Sequence, residues 1–467
     1  METNTFSKTM HERRWTALAL LCAAQFMVIM DTSIIGIALP VIKEELGYTQ
    51  GGLQWIFNAY VILFGGILLL GGRLSDLYGA RKIFTLGFGI LAAASLLAGM
   101  AWSPESLNTG RALQGVGSAL IAPAALTLLM ITFQDPKELG KAFGFWGASA
   151  AAGGSAGVFL GGVITEWMDW RWIFYINIPI SIIVMLLSSA NLAKGATSKG
   201  RIDWSGAITA TAALILLVYT IVNTESAGWA SLETILLMAV SVGLFVLFYF
   251  IQKSKREPIL PLRIFKAPNL TQGNVVMGLM AASWIPLWFF LNLYLQQILN
   301  LNAFKSGLAL LPMTILIMVL MVGVTGKLVA KHGHKKIMIA GLVSLAVSLV
   351  LFSIAPTDGS YLIHVLPASL LGALGMSLAY IPTTMASMSG AKPEETGLAS
   401  GIVNTSYQVG SALGLALVAV VASAVTATSM ESGVDSVTSL NSGFSAAFIG
   451  AAVIAVVNVF IATFKIK

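Results

Sequence analysis

The chain reads as an all-α polytopic membrane protein of fourteen spans, two six-helix halves with two further helices inserted between them. Three observations predict this. Hydrophobic residues make up 57% of the sequence and charged residues only 10%, against roughly 25% charged in an ordinary soluble domain. Fourteen apolar stretches of about 20 residues, each enough for a bilayer crossing, alternate with charged or Pro/Gly-rich breaks. One loop sequence also recurs: Gly72 to Ile83 reads GRLSDLYGARKI, and Gly326 to Ile337, 254 residues further on, reads GKLVAKHGHKKI.

Residues 1–14, METNTFSKTMHERR, form a basic tail without a small-residue cleavage site, so the apolar run behind it is a retained first helix rather than a signal peptide. The first half, 15–193, holds spans near 15–40, 53–72, 83–102, 108–130, 142–165 and 173–193. The inserted segment, 194–269, holds spans near 205–223 and 233–252 between the polar stretch KGATSKGRIDW and the proline-bearing KSKREPILPLRIFKAPN, whose prolines favour stiff extended backbone. The second half, 270–467, holds spans near 270–298, 307–329, 337–355, 361–388, 398–424 and 443–464. The repeat supports this division, because an offset of 254 residues is too long for six helices with short loops and fits six plus a pair.

Basic residues set the orientation. With the N-terminus cytoplasmic, every Lys and Arg except Lys43, Arg111, Arg171 and Lys305 falls in the tails and inward loops. Both termini are then cytoplasmic, on a multi-pass protein of the plasma (inner) membrane. The outward loops hold acids such as Glu44, Glu45, Glu105, Glu166, Asp169, Glu431 and Asp435. The net charge of +7 thus follows from topology, without a nucleic-acid partner. Cys22 is the only cysteine, and His11, His332, His334 and His364 are scattered, so neither a disulfide nor a metal site is expected. Nothing resembles a P-loop, a nucleophile elbow or a dinucleotide fingerprint. An ATPase domain is therefore not expected in this chain, and neither is an enzyme active site.

Asp31 is the only acid well inside a long apolar run. A charge there costs about 2.5 to 3.5 kcal/mol on insertion scales and must face protein or a water-filled cavity. That marks a proton or cation site, the alternative being an ion pair that merely positions two helices. Arg111 enters the fourth run near its outer end, at a depth close to that of Asp31. The two are expected to pair through a fork-like charge-assisted hydrogen bond that protonation of Asp31, or a cationic cargo, would release.

Four segments carry a family likeness. The first run ends MDTSIIGIALP, with Asp31, Thr32, Ala38, Leu39 and Pro40 at D-x-T-x-x-x-x-A-L-P spacing; the first inward loop places Gly72, Leu74, Asp76, Gly79, Arg81 and Lys82 as in G-x-L-x-D-x-x-G-R-K, with Ala80 as an extra residue. NTGRALQGVGSAL gives Arg111, Gln114, Gly115 and Gly117 at R-x-x-Q-G-x-G spacing, and GGSAGVFLGG gives Gly153, Gly154, Gly157, Gly161 and Gly162, with Val158 where a Gly-Pro motif has proline. LYLQQ at Leu293 to Gln297 and ASGIVNTSYQVGSALG add to it in the second half. Together these resemble the major facilitator superfamily, and within it the fourteen-helix drug:proton antiporter branch of multidrug and quaternary-ammonium exporters.

The resemblance implies a proton-coupled antiporter that exports lipophilic, often cationic, drugs or dyes by alternating access. It would be energised by the proton gradient without a cofactor and would function as a monomer. Asp31 and Arg111 would be the coupling pair. Asp76, with Arg73, Arg81 and Lys82, would latch the inward face, its carboxylate accepting hydrogen bonds from a helix N-terminus or pairing with a base. The repeat copy has Ala330 in place of Asp76, which makes the latch asymmetric; the alternative is that the loop only enforces topology. The fifth-span glycines, with Gly401, Gly410 and Gly414 as counterparts, suit either a moving helix contact at the boundary between halves or simple tight packing.

Cargo contacts are expected from Asn58, Tyr60, Gln114, Trp288, Asn292, Tyr380, Asn404 and Gln408, since aromatic faces attract cations and a polar amide facing lipid would be wasted. Trp and Tyr also gather at membrane interfaces whatever the cargo. Glu166 or Asp169 would be the source of any second proton. The alternative function within this fold is a carrier dedicated to one metabolite, lipid or siderophore. An anion carrier would need paired bases in its spans, where only Arg111 stands, so neutral or cationic cargo is favoured. A membrane-embedded sensor or enzyme would need an extramembrane domain, and the longest outward loop has only about 17 small or polar residues.

Overall fold

The computed structural model describes residues 14–48, 53, 55–195, 203–255 and 258–466. Tail residues 1–13, the linker residues 196–202 and 256–257, and the side chain of Pro40 from the first-helix signature lie outside the described residues. The described chain is helical, without a strand, and fourteen of its helices are long and apolar enough to cross a membrane. They are α1 (Arg14–Ser33), α2 (Trp55–Tyr78), α3 (Ala80–Gly99), α4 (Pro104–Thr132), α5 (Pro136–Trp167), α6 (Trp172–Asn191), α7 (Trp204–Ala227), α8 (Leu232–Ser254), α9 (Leu270–Leu293), α10 (Ala303–Leu320), α11 (His334–Ser353), α12 (Leu366–Met388), α13 (Thr396–Glu431) and α14 (Ser436–Lys465).

Helices outrun their apolar runs because hydropathy ends at the headgroups while backbone hydrogen bonding does not. α2 was expected to stop near residue 72 but continues through the charged stretch RLSD to Tyr78, and the connection to α3 is Gly79 alone, at φ 91°. The repeat copy behaves alike: Gly333, at φ 84°, separates the helix Gly326–His332 from α11. The shared glycine of the two loop sequences is thus a left-handed break that a side chain would strain. α4 starts at a reciprocal Ser103–Ser106 capping box, and α7 starts on Asp203, whose carboxylate accepts the Gly206 N–H.

By internal contacts the chain forms two compact units. The first comprises residues up to Ala142, Ala156–Ala267 and Gly390–Thr405; the second comprises Phe143–Ser155, Pro268–Ser389 and Ser406–Lys467. In the first unit, helices approach where glycine allows it. A Cβ on Gly71 would lie 2.3 Å from the Ala119 carbonyl, and one on Gly66 would lie 2.3 Å from Ile215. The second contact joins α2 to α7, so the inserted pair α7 and α8 belongs to this unit. In the second unit, Phe290, Phe352, Phe444 and Phe448 form an aromatic core among α9, α11 and α14. Buried amides tie its helices to backbone carbonyls: Asn274 donates to Ser387 at 2.9 Å and Asn458 to Val276 at 3.0 Å.

Candidate functional site

Asp31 stands near the end of α1, and the residues after it fashion that end. Thr32 and Ser33 both donate their hydroxyls to the Ile29 carbonyl, at 2.7 and 3.0 Å, in competition with the helix ladder. The helix gives way to a 3-10 turn, Ile34–Ile37, and then to the short helix Leu39–Leu46, which Gly47 terminates at φ 74°. Gly157 and Gly161 of α5 lie against this end; a Cβ on them would fall 2.9 Å from the Met30 carbonyl and 2.4 Å from that of Ile34 respectively. These motif glycines therefore let α5 lie on α1 within the first unit.

Asp31 is 1% exposed and holds three donors. Its Oδ2 accepts Arg111 Nη1 at 2.7 Å. Its Oδ1 accepts Asn177 Nδ2 at 2.6 Å and Gln114 Nε2 at 3.1 Å. Asp31 and Arg111 thus meet, but without the fork expected between them. Gln114, one turn along α4, takes a second bond from Nη1 at 2.8 Å, while Nε of Arg111 donates to the Ile56 carbonyl of α2 at 3.0 Å. The guanidinium lies 4.6 Å over the Tyr60 ring. Gln114 Nε2 also donates to Ser95 of α3 at 2.8 Å.

The R-x-x-Q-G-x-G spacing now has a physical account. Arg111 and Gln114 share one face of α4. Gly115 lets α4 approach α2, where a Cβ would fall 2.4 Å from the Tyr60 carbonyl, and Gly117 lets it approach α3, with Gly87 O at 2.9 Å. Five helices, α1, α2, α3, α4 and α6, therefore converge on one carboxylate. Asn177 and Ser95 escaped the sequence reading. Both are polar residues inside apolar spans, which is the signal that singled out Asn58, but neither stood in a motif.

An apolar cluster that includes Ile34, Ile35, Ile56, Tyr48, Leu107, Trp170 and Phe174 adjoins the pair through Ile56. It is clasped by Glu45, which accepts Trp170 Nε1 at 2.6 Å and pairs with Arg171. Burial alone would lower the Arg171 pKa; the bonds to Glu45 and Asp169 outweigh it and hold the guanidinium above its ordinary value. Asp169 is thereby engaged in an ion pair, and Glu166 is exposed. With the cluster on one side and five helices around it, the Asp31 carboxylate is closed off from water in this conformation.

Asp76 lies at the far end of α2. Its two oxygens accept the Gly397 and Leu398 amides at 2.7 and 2.8 Å, so the carboxylate caps the first turn of α13. Gly397 is required there, since a Cβ would lie 2.5 Å from both Asp76 Oδ1 and the Gly72 carbonyl. Arg81 is placed elsewhere: its Nη1 donates to the Ser189 and Leu192 carbonyls at the end of α6. It lines, with Lys82, Thr85, Leu86 and Met185, a groove of about 450 Å³.

The expected cargo residues do not gather into one site. Tyr60 and Gln114 belong to the Asp31 cluster. Asn58 is half-buried on α2, and Asn404 donates to the Ser400 carbonyl on α13. In the second unit, Trp288 packs edge-on against Trp284, and Asn292 accepts Gln296. Tyr380 packs edge-on against Tyr407, 6.4 Å between ring centroids, with Gln408 adjacent to Tyr407 in the chain.

Helices packed through glycine around a buried acid–arginine pair make up a helical, membrane-spanning protein, and comparison with known proteins gives the family. The chain belongs to the Major Facilitator Superfamily, whose model matches residues 21–415. It is 36% identical to the cephamycin export protein CmcT of Amycolatopsis lactamdurans over 94% of this chain and 90% of that protein. It is 35% identical to the puromycin resistance protein pur8 of Streptomyces alboniger, over 89% and 83%, and 32% identical to the tetracenomycin C resistance and export protein of Streptomyces glaucescens, over 87% and 76%. A crystal structure of the human organic anion transporter MFSD10 superposes with a TM-score of 0.69 over 97% of this chain and 99% of that one; at 14% identity it shows the fold alone. The chain is thus a member of this family with fourteen candidate spans among the described residues, and the relatives it resembles are drug-export and resistance proteins.

Proposed function

We propose that this transporter is a proton-coupled antiporter that exports lipophilic, often cationic, drugs or dyes across the plasma membrane, with both termini cytoplasmic and the monomer as the working unit. The observation that carries the proposal is the Asp31–Arg111 pair, 2.7 Å apart and fully buried in spanning helices. A buried pair is weak evidence for stability, so its retention in a span asks for a use. Protonation of Asp31 removes one partner of Arg111 and leaves it three: Gln114, the Ile56 carbonyl and the Tyr60 face. Arg111 can therefore stay in place while Asp31 changes charge, which an exchange cycle requires. Because the carboxylate is sealed in this conformation, its proton must enter and leave in others, and that ties protonation to alternating access. Asp76, capping α13, is the latch that stabilises one of these states.

The relatives' names point to antibiotic-type cargo, and each names one compound. That favours, as a second reading, export of a single dedicated compound; competition by a panel of cationic and neutral dyes separates the two. The coupling itself is tested by pH-gradient-driven dye transport in proteoliposomes. Wild type should accumulate dye uphill and Asp31→Asn should not, while remaining folded and inserted. Wild-type uphill rates in Asp31→Asn would overturn the proposal.

A further inference from the structure

Within the Asp31 cluster the two side-chain amides are held differently. Gln114 is pinned at both ends: Oε1 accepts Arg111 Nη1 at 2.8 Å, and Nε2 donates to Ser95 at 2.8 Å and to Asp31 at 3.1 Å. Turning it over would set its NH2 against the guanidinium and its carbonyl against the carboxylate. Asn177 is held at one end only. Its Nδ2 donates to Asp31 Oδ1 at 2.6 Å and more distantly to Ser95 at 3.4 Å, while its Oδ1 is buried without a hydrogen-bond partner. The residue itself is fully buried on α6.

We propose that the Asn177 amide turns over when Asp31 takes up a proton, so that α6 reads the protonation state of α1. Facing a carboxylate, only the NH2 of Asn177 can bond. A proton arriving from water forms an O–H bond at Asp31 Oδ1 and needs an acceptor, since the amide of Gln114 on the same oxygen is itself a donor. The unused carbonyl of Asn177, on an atom pair already within 2.6 Å, supplies it by a half-turn about one bond. Ser95 follows without cost, because a hydroxyl can donate to the carbonyl where it accepted from the NH2.

The other elements around Asp31 offer its Oδ1 no such acceptor: Ser95 of α3 bonds the Gln114 and Asn177 amides rather than the carboxylate. α4 brings Arg111, a permanent donor; α2 brings the Tyr60 phenol under that guanidinium; α5 brings glycines; and the charged or titratable groups among these are Arg111 and Tyr60. Asn177 is thus a positioning residue whose orientation follows the charge on Asp31, with the Ser95 hydroxyl able to adapt to either face of the amide. The inference rests on Asp31 being a proton carrier.

Infrared difference spectroscopy on the intact reconstituted protein, titrated with pH, tests it. A carboxylic-acid band that vanishes in Asp31→Asn identifies the Asp31 proton. In wild type, a side-chain amide band that moves on isotopic labelling of asparagine should change together with it, and that change should be absent in Asn177→Val while the acid band persists. In transport, Asn177→Val should slow pH-driven exchange about tenfold, the loss of one hydrogen bond to a charged group. Asn177→Thr, similar in size to valine but able to donate or accept, should recover most of it. An Asp31 band that titrates with no labelled-asparagine response, or an unaltered response in Asn177→Val, overturns this inference and leaves the coupling role standing. Absence of any acid band assignable to Asp31 overturns both.

Discussion

Asp31 gains its partners from three side chains on two helices, and their removal should not be additive. Arg111→Ala leaves a buried carboxylate with its amides but no counter-charge, the costly half of breaking a buried pair at about 3 to 5 kcal/mol, and exchange should be lost. Combined with Asp31→Asn, the same change should cost little further, because no charge remains to be stranded. A double-mutant cycle on thermal stability reads this directly, and additive losses would count against the pair. Asp76 offers a second residue-scale test through a group that touches it only as backbone. Gly397→Ala places a methyl 2.5 Å from Asp76 Oδ1 and should mimic Asp76→Ala, both shifting cysteine labelling from the cytoplasmic side on a Cys22→Ser background toward the inward-open pattern. If Gly397→Ala labels like wild type while Asp76→Ala does not, the α13 cap is not what the carboxylate contributes.

At the scale of elements, the linker-side ends of the inserted pair are gathered on one acid. Asp203, at the start of α7, accepts Ser205 Oγ at 2.7 Å, Gly206 N at 3.0 Å and Gln252 Nε2 at 2.9 Å, and lies 3.6 Å from Lys255 past the end of α8. Gln252 in turn accepts the Leu260 amide, fixing the outgoing linker. Burial would raise the Asp203 carboxyl, but the Gly206 amide, the Ser205 hydroxyl, Gln252 and Lys255 outweigh it and hold its pKa below the ordinary value. A carboxyl depressed on folding contributes stability above its unfolded pKa and loses it as pH falls through the folded one. Asp203→Asn keeps a side-chain cap but loses the charge that Gln252 and Lys255 meet, and should therefore destabilise the protein by about 1 kcal/mol between pH 5 and 8. The gap to wild type should close only below about pH 4. Thermal unfolding followed across that range checks it, and a gap that persists unchanged at pH 3 would mean that charge is not what Asp203 supplies.

For the molecule as a whole, one embedded carboxylate limits the energetics. A single site can exchange one proton for one monovalent cation and so moves no net charge. Such exchange draws on the pH gradient, about 1.4 kcal/mol or tenfold accumulation per pH unit, and gains nothing from the roughly 2.3 kcal/mol per charge available at 100 mV. Monocation export at a fixed pH gradient should therefore be insensitive to membrane potential in vesicles. Acceleration by an inside-negative potential would mean a second proton, with Glu166, exposed beyond the pair, as the place to look.

Composition and spacing alone determined the number of spans, the fold class and the demand that a carboxylate in a span be partnered, because hydropathy is a one-dimensional quantity and a bilayer reads it directly. They also picked out Arg111 as the answering charge, since a span tolerates few. What only the tertiary structure decided was the remainder of the shell. Asn177 reaches Asp31, and Ser95 the Gln114 amide beside it, through the rotation of α6 and α3 about their own axes, and Arg111 and Asp76 complete their bonding on backbone groups, the Ile56 carbonyl and the Gly397 and Leu398 amides. Every residue carries such backbone groups, so no residue type announces which of them packing will bring within reach.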